Sequence, residues 1–120
     1  MEKTYNVCEN RGSKRVWIEG KVLLDMQTKR GIKFSRTMNG ESMVLVIGDE
    51  NGKHTVAGTP ERPIIDLNGK YLNEFFGNAP KYTAVFSPKS IPSMLFLGNH
   101  KIGNEHATIT ITPSHGESAK

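Results

Sequence analysis

Residues 16–47, VWIEGKVLLDMQTKRGIKFSRTMNGESMVLVI, decide the reading of this chain, because residues 65–97, IDLNGKYLNEFFGNAPKYTAVFSPKSIPSMLFL, follow the same pattern. At an offset of about 49, Gly20-Lys21-Val22-Leu23 falls on Gly69-Lys70-Tyr71-Leu72, and Val16 and Ile18 fall on Ile65 and Leu67. With one residue inserted in the second copy, Leu45 falls on Leu95 and Gly48 on Gly98. Upstream, Asn6-Val7-Cys8 lies over Thr55-Val56-Ala57. A period of this length marks one supersecondary unit repeated, neither copy able to bury its apolar face alone. Two copies are too few for a solenoid, so the expectation is a pseudo-twofold domain in which they close on each other.

Within each unit the periodicity is that of short strands. Thr4–Cys8 alternates, and in Arg15–Glu19 Val16 and Ile18 share one face while Arg15, Trp17 and Glu19 share the other. Between them Glu9–Lys14 is polar, with Gly12 as the turn residue. Val22–Thr28 has room for two helical turns that group Val22, Leu23 and Met26, ended by Gly31. Ile32–Met38 alternates again, and Asn39-Gly40 predicts a type I′ hairpin. Met43–Ile47 is a continuous apolar run, expected to be buried on both faces, and Lys53–Ala57 returns as a strand.

The second unit repeats this order, with strands over 64–67, 81–86 and 93–97, a helix over Tyr71–Phe76, and Pro88 and Pro92 outside the sheet. Ala107–Thr112, ATITIT, is a period-two strand that reads as a third copy of the strands at Tyr5 and Thr55. The fold expected is mainly β: a small closed β-barrel over residues 1–112, with one short helix per repeat. Repeat 1 covers about 4–48, repeat 2 about 53–98, strand 107–112 closes the barrel, and 113–120 form a disordered tail.

Bulk properties narrow the function classes. The chain has 120 residues, 36% hydrophobic and 23% charged, with a mean hydropathy of −0.46. Its longest apolar runs fall far short of the roughly 20 residues a membrane helix needs. The start, MEKTYNVCENRG, lacks the apolar core of a signal peptide, and the single Cys8 fits a reducing compartment, so the expected location is cytoplasmic. Net charge is +4 and the pI near 9.3. The excess lies in one stretch: Arg11, Lys14, Arg15, Lys21, Lys29, Arg30, Lys33 and Arg36 face only Glu19 and Asp25. Such a field attracts polyanions; a solvated face is the plainer reading.

The unit as a whole (strand, loop with small and basic residues, strand, Gly-Lys-x-Leu, helical turn, hairpin) resembles the AbrB/MazE/SymE swapped-hairpin group. Residues 10–18, NRGSKRVWI, are similar to that group's Gly-Asn-Ser-x-x-Val-Arg-Ile stretch, and 16–23, VWIEGKVL, to the SymE-type step. The resemblance implies a swapped-hairpin barrel within one chain, a monomer or weak dimer, and duplex DNA as partner, as in a transcription regulator or nucleoid-type binder. It carries phosphate contacts onto Arg11, Ser13, Lys14 and Arg15. The matching stretch of the second copy, Thr59-Pro60-Glu61-Arg62, has only Arg62 as a cation, so a one-sided backbone contact is expected in place of a symmetric palindrome reader. Trp17 could stack on a base, anchor a protein or cap a barrel end, and Lys29, Arg30, Lys33 and Arg36 extend the basic face.

Two other functions remain in view: a phage or mobile-element module that occupies a host protein, and a SymE-like RNase toxin. RNA cleavage needs a paired acid and base beside a cation. His54, His100, His106 and His115 do not recur at equivalent places in the two copies. Neither a catalytic set nor a metal or cofactor site is expected, and residues 98–103 lack the Gly-Lys-Ser/Thr end of a phosphate loop.

Overall fold

The computed structural model describes residues 1–88 and 106–114. The expected strand at 93–97, His100 and His115 lie outside the described residues. The chain is mainly β, with ten strands and two short helices among the described residues: β1 Glu2–Asn6, β2 Cys8–Asn10, β3 Ser13–Glu19, α1 Lys21–Asp25, β4 Lys33–Asn39, β5 Ser42–Ile47, β6 His54–Thr55, β7 Ala57–Gly58, β8 Pro63–Asn68, α2 Lys70–Phe76, β9 Lys81–Ser87 and β10 Ala107–Ser114. They form a six-stranded sheet, β1-β9-β10-β5-β4-β6, and a four-stranded sheet, β2-β3-β8-β7. All pairings are antiparallel. Among the described residues neither sheet closes on itself.

Alternation builds the core directly. Val16 and Ile18 of β3 and Ile65 and Leu67 of β8 are buried, as are Met43, Leu45 and Ile47 of β5 and Ile109 and Ile111 of β10. These side chains join Leu23 of α1 and Leu72 and Phe76 of α2 in one apolar cluster. Each fully buried branched side chain contributes about 1.5–3 kcal/mol, which is why period-two patterning dominates the fold.

Some pairings recur at an offset of 49. Cys8 faces Arg15 where β2 meets β3, and Ala57 faces Ile64 where β7 meets β8, each residue 49 positions further on. Where β3 crosses β8, Trp17 lies opposite Asp66, also 49 positions on. In the larger sheet Tyr5 pairs with Tyr82 and His54 with Phe34. Both pairs stack, with ring centroids 5.4 and 5.2 Å apart.

Several local expectations need correction. α1 ends at Asp25, because Gln27 takes the positive φ of 59° expected further on at Gly31. Asn39 pairs with Ser42, so the hairpin loop is Gly40-Glu41. Only Gly40 is at positive φ (65°), the pattern of a type II′ loop, not type I′. Val44 and Val46 are half-buried, not buried, because they share the outer face of the larger sheet with Thr108 and Thr110. The strand expected over 53–57 is broken at Val56, whose N–H donates to the Ile32 carbonyl at 2.9 Å.

β10 also departs from expectation. It lies between β9 and β5, not at an edge like β1 and β6. It holds beside β9 the place that β5 holds beside β4. Ile109 and Ile111 are fully buried there, whereas four of the five residues of the edge strand β1 are exposed. The strand runs on to Ser114, two residues past the expected 107–112, with Pro113 opposite Tyr82.

Candidate nucleic-acid interface

Arg11 and Gly12 form the two-residue loop between β2 and β3, closed by the pairing of Asn10 with Ser13. Both take positive φ, 56° and 82°. For glycine this is free; for arginine it costs about 1–2 kcal/mol. The exposed Arg11 side chain is thus held at the tip of a tight hairpin. Asn73 of α2 fixes the hairpin's base: its Oδ1 accepts the Lys14 backbone N–H at 2.7 Å, and its Nδ2 donates to the Gly12 carbonyl at 3.4 Å. Ser13 is half-buried at the start of β3. The Lys14 ammonium lies 3.2 Å from Glu9, directly across the strand pair.

Arg15 and Trp17 are not free. The Arg15 guanidinium donates two 2.8 Å hydrogen bonds to Asp66 and lies 4.5 Å above the Trp17 ring. The Arg15 hydrogen bonds hold the Asp66 carboxyl below the usual carboxylate range. Trp17 donates its indole N–H to Glu19 at 2.7 Å, and Glu19 pairs with Arg62 at 3.3 Å. Two cations and two carboxylates therefore balance around the tryptophan on the outer face of the smaller sheet. Of the phosphate contacts implied by the family resemblance, the structure leaves Arg11 open to solvent and commits Arg15 to Asp66. A bidentate, partly buried pair of this kind does not exchange freely for a phosphate.

The remaining cations gather elsewhere. β3 carries the chain about 20 Å from the Arg11 hairpin to Gly20 and α1, after which Lys29 and Arg30 follow in an exposed turn. That turn is tied to β6 and β7: the Gly31 N–H donates to the Val56 carbonyl at 2.8 Å. Lys33 opens β4 opposite Thr55. Lys53, exposed and immediately before β6, joins the same group. The charge run could not reveal Lys53, because it lies beyond a hairpin and reaches Lys33 only through the β4–β6 pairing. Its one sequence signal was its place in a predicted strand.

Gly52 makes this approach possible. A Cβ there would lie 2.3 Å from the Phe34 carbonyl oxygen, so only glycine lets the chain pass so close to β4. Asp49 and Glu50 border the group. The Asn51 N–H, followed by Ser35, holds Asp49 below its ordinary range. Arg36 is exposed, with its guanidinium 3.9 Å over the Tyr71 ring.

Lys29, Arg30, Lys33, Arg36 and Arg11 make no ion pair among the described residues. The basic stretch thus resolves into two places, the Arg11 tip beside α2 and the Lys29–Lys33–Lys53 group around β6. His54 stacks on Phe34, and burial, with a smaller push from Arg36, lowers its pKa below the usual imidazole range. Among the described residues no group of three or more His, Cys, Asp or Glu side chains could hold a metal, and no helix is long and apolar enough to cross a membrane. Comparison with protein-family models, curated proteins and solved structures returned no match.

Proposed function

We propose that the protein binds nucleic acid, with duplex DNA as the favoured form, through phosphate contacts made mainly by the cations around β6. The observation that carries this reading is the exposed set Lys29, Arg30, Lys33 and Lys53, none paired with a carboxylate among the described residues. Cations that neutralise phosphates release condensed counterions, and the entropy of that release drives association. Arg11, on its strained hairpin tip, adds a second contact about one strand length away. Strain of this kind is kept where the surrounding structure enforces it and is often functional. Both contacts serve backbone recognition, which suits a transcription regulator or nucleoid-type binder that reads position and shape more than base edges.

The same reading treats the chain as an internal duplication of the swapped-hairpin type. The matching registers at Trp17–Asp66, Cys8–Arg15 and Ala57–Ile64 support it. In this view β10 stands beside β9 as β5 stands beside β4, and the second unit mainly completes the fold.

Duplex DNA binding followed by fluorescence anisotropy over a series of salt concentrations tests the proposal. The expected result is affinity that falls steeply with salt, with a log–log slope near −0.9 for each phosphate neutralised. No binding at low salt would reduce these lysines and arginines to a solvated face.

A further inference from the structure

The two edges of the six-stranded sheet are unequally covered. β1 pairs with β9 over five positions, Glu2–Asn6 against Lys81–Val85. At the other edge β6 pairs with β4 only at Lys33 and Phe34. From Arg36 to Asn39, β4 has no strand on that side among the described residues. Antiparallel ladders fix which groups this leaves open. The Gly48 N–H donates to the Lys33 carbonyl at 2.7 Å, so Lys33, Ser35, Thr37 and Asn39 turn their amides toward β5. The alternate residues turn theirs outward. Phe34 meets His54, with Gly52 close against the Phe34–Ser35 peptide; the N–H and C=O of Arg36 and Met38 face the part of the edge that no described strand covers.

Their side chains border a cleft of about 440 Å³ between the β4–β5 hairpin and α2. Met38 is 51% exposed at its rim, Met43 is buried, and Phe75 of α2 is half-buried. Glu41 and Glu74, both exposed, also line the cleft and make no ion pair among the described residues.

The geometry points to a docking edge for an extended peptide of a partner protein, added as a strand beside Arg36–Asn39. Its inward positions would carry an apolar side chain for the Met38–Met43–Phe75 cleft and a basic one for Glu41 and Glu74. Strand addition of this kind draws affinity from main-chain hydrogen bonds and specificity from pockets for alternate side chains. At the opposite edge a strand of this same chain is added in that way, where β1 lies along β9 with Tyr5 stacked on Tyr82. This edge continues the one that β6 occupies, and Arg36 lines a shallow pocket with Lys53 and His54, but its test is made without DNA.

The probe is the labelled peptide Thr-Leu-Thr-Lys-Thr-Leu-Thr, with a scrambled peptide of the same composition as control. In the free protein, the Arg36 and Met38 amides should exchange with solvent at least about tenfold faster than Thr37. On saturation with the peptide, both should become protected. Met38→Pro removes one outward N–H and leaves the β5 ladder intact, so it should weaken binding at least about tenfold, and Glu74→Lys should weaken it too. Should Met38→Pro fail to fold, Glu74→Lys and the exchange measurement decide alone. Equal binding of the scrambled peptide, or no shift of the Arg36 and Met38 amides at millimolar peptide, would overturn the proposal. So would a concentration-dependent dimer that protects those amides in the absence of peptide, which would assign the edge to a second copy of this chain.

Discussion

The loops Asn10–Ser13 and Thr59–Arg62 stand at corresponding ends of the smaller sheet, have the same length, and differ in almost everything they present. The first places Arg11 in the left-handed region with Gly12 beside it. In the second, Thr59 and Arg62 exchange two 3.1 Å backbone hydrogen bonds around Pro60-Glu61, with no positive φ, and the Arg62 guanidinium is drawn to Glu19. One tip bears a strained, exposed cation and the other a relaxed turn whose neighbouring charges cancel. The pairings beneath both loops match residue for residue. Scaffold and surface have separated: packing constrains both ends alike, and only the exposed chemistry distinguishes them.

The equality of the scaffold can be tested first. Ile18 and Leu67 hold equivalent positions at the offset of 49 and are both buried, so Ile18→Ala and Leu67→Ala should each cost about 2–5 kcal/mol. Denaturant unfolding that separated the two by more than about 2 kcal/mol would break the comparison at its root. The inequality of the surfaces comes next. Combined replacement of Lys29, Arg30, Lys33 and Lys53 by glutamine should lower DNA affinity at low salt by about 100-fold or more. It should also flatten the salt slope by about 3 to 4.

At the tips the expected changes are smaller. Arg11→Ala should weaken DNA binding by up to about tenfold, while Arg62→Ala changes it little. Arg11→Gly should lose the same affinity yet raise stability by about 0.5–1 kcal/mol, because glycine adopts the left-handed loop without strain. Anisotropy and thermal unfolding on one preparation separate these two effects.

The smallest effect concerns acid. Arg15 holds the Asp66 pKa below its unfolded value, so the ionised pair stabilises the fold above the unfolded carboxylate pKa of about 3.9. That contribution is lost as pH falls through the lower, folded pKa. Asp66→Asn should flatten the acid limb of the stability profile and leave Arg15 available to a polyanion. An unchanged acid limb would mean the pair carries no linkage.

Much of this was legible in the chain itself. The alternation of Val16 with Ile18 and of Ile109 with Ile111 identified strands because side-chain period and burial coincide there. What could not be read depended on distance in sequence. Nothing near Arg15 shows that Asp66, 51 positions away, will neutralise it. Nothing near Lys33 shows that Lys53 will arrive beside it across β6. The Asn39-Gly40 register slipped by one because two adjacent dipeptides both allow a positive-φ turn, and the pairing of β4 with β5 chose between them. Likewise ATITIT specified a half-exposed strand but not its neighbours.

The position of β10 has a consequence for how the protein is made. It is the last described strand in the chain, yet it sits between β9 and β5 and, among the described residues, is the sole link between the β1–β9 and β4–β5–β6 portions of the larger sheet. During synthesis those portions wait, each with one ladder face unmet, until residues 107–114 have left the ribosome. Contacts between distant parts of a chain form slowly, so the two exposed strands stay open to wrong partners until β10 pairs with both. A chain stopped before Ala107 would lack the strand that joins these two portions, so the completion of the larger sheet is held to the arrival of residues 107–114.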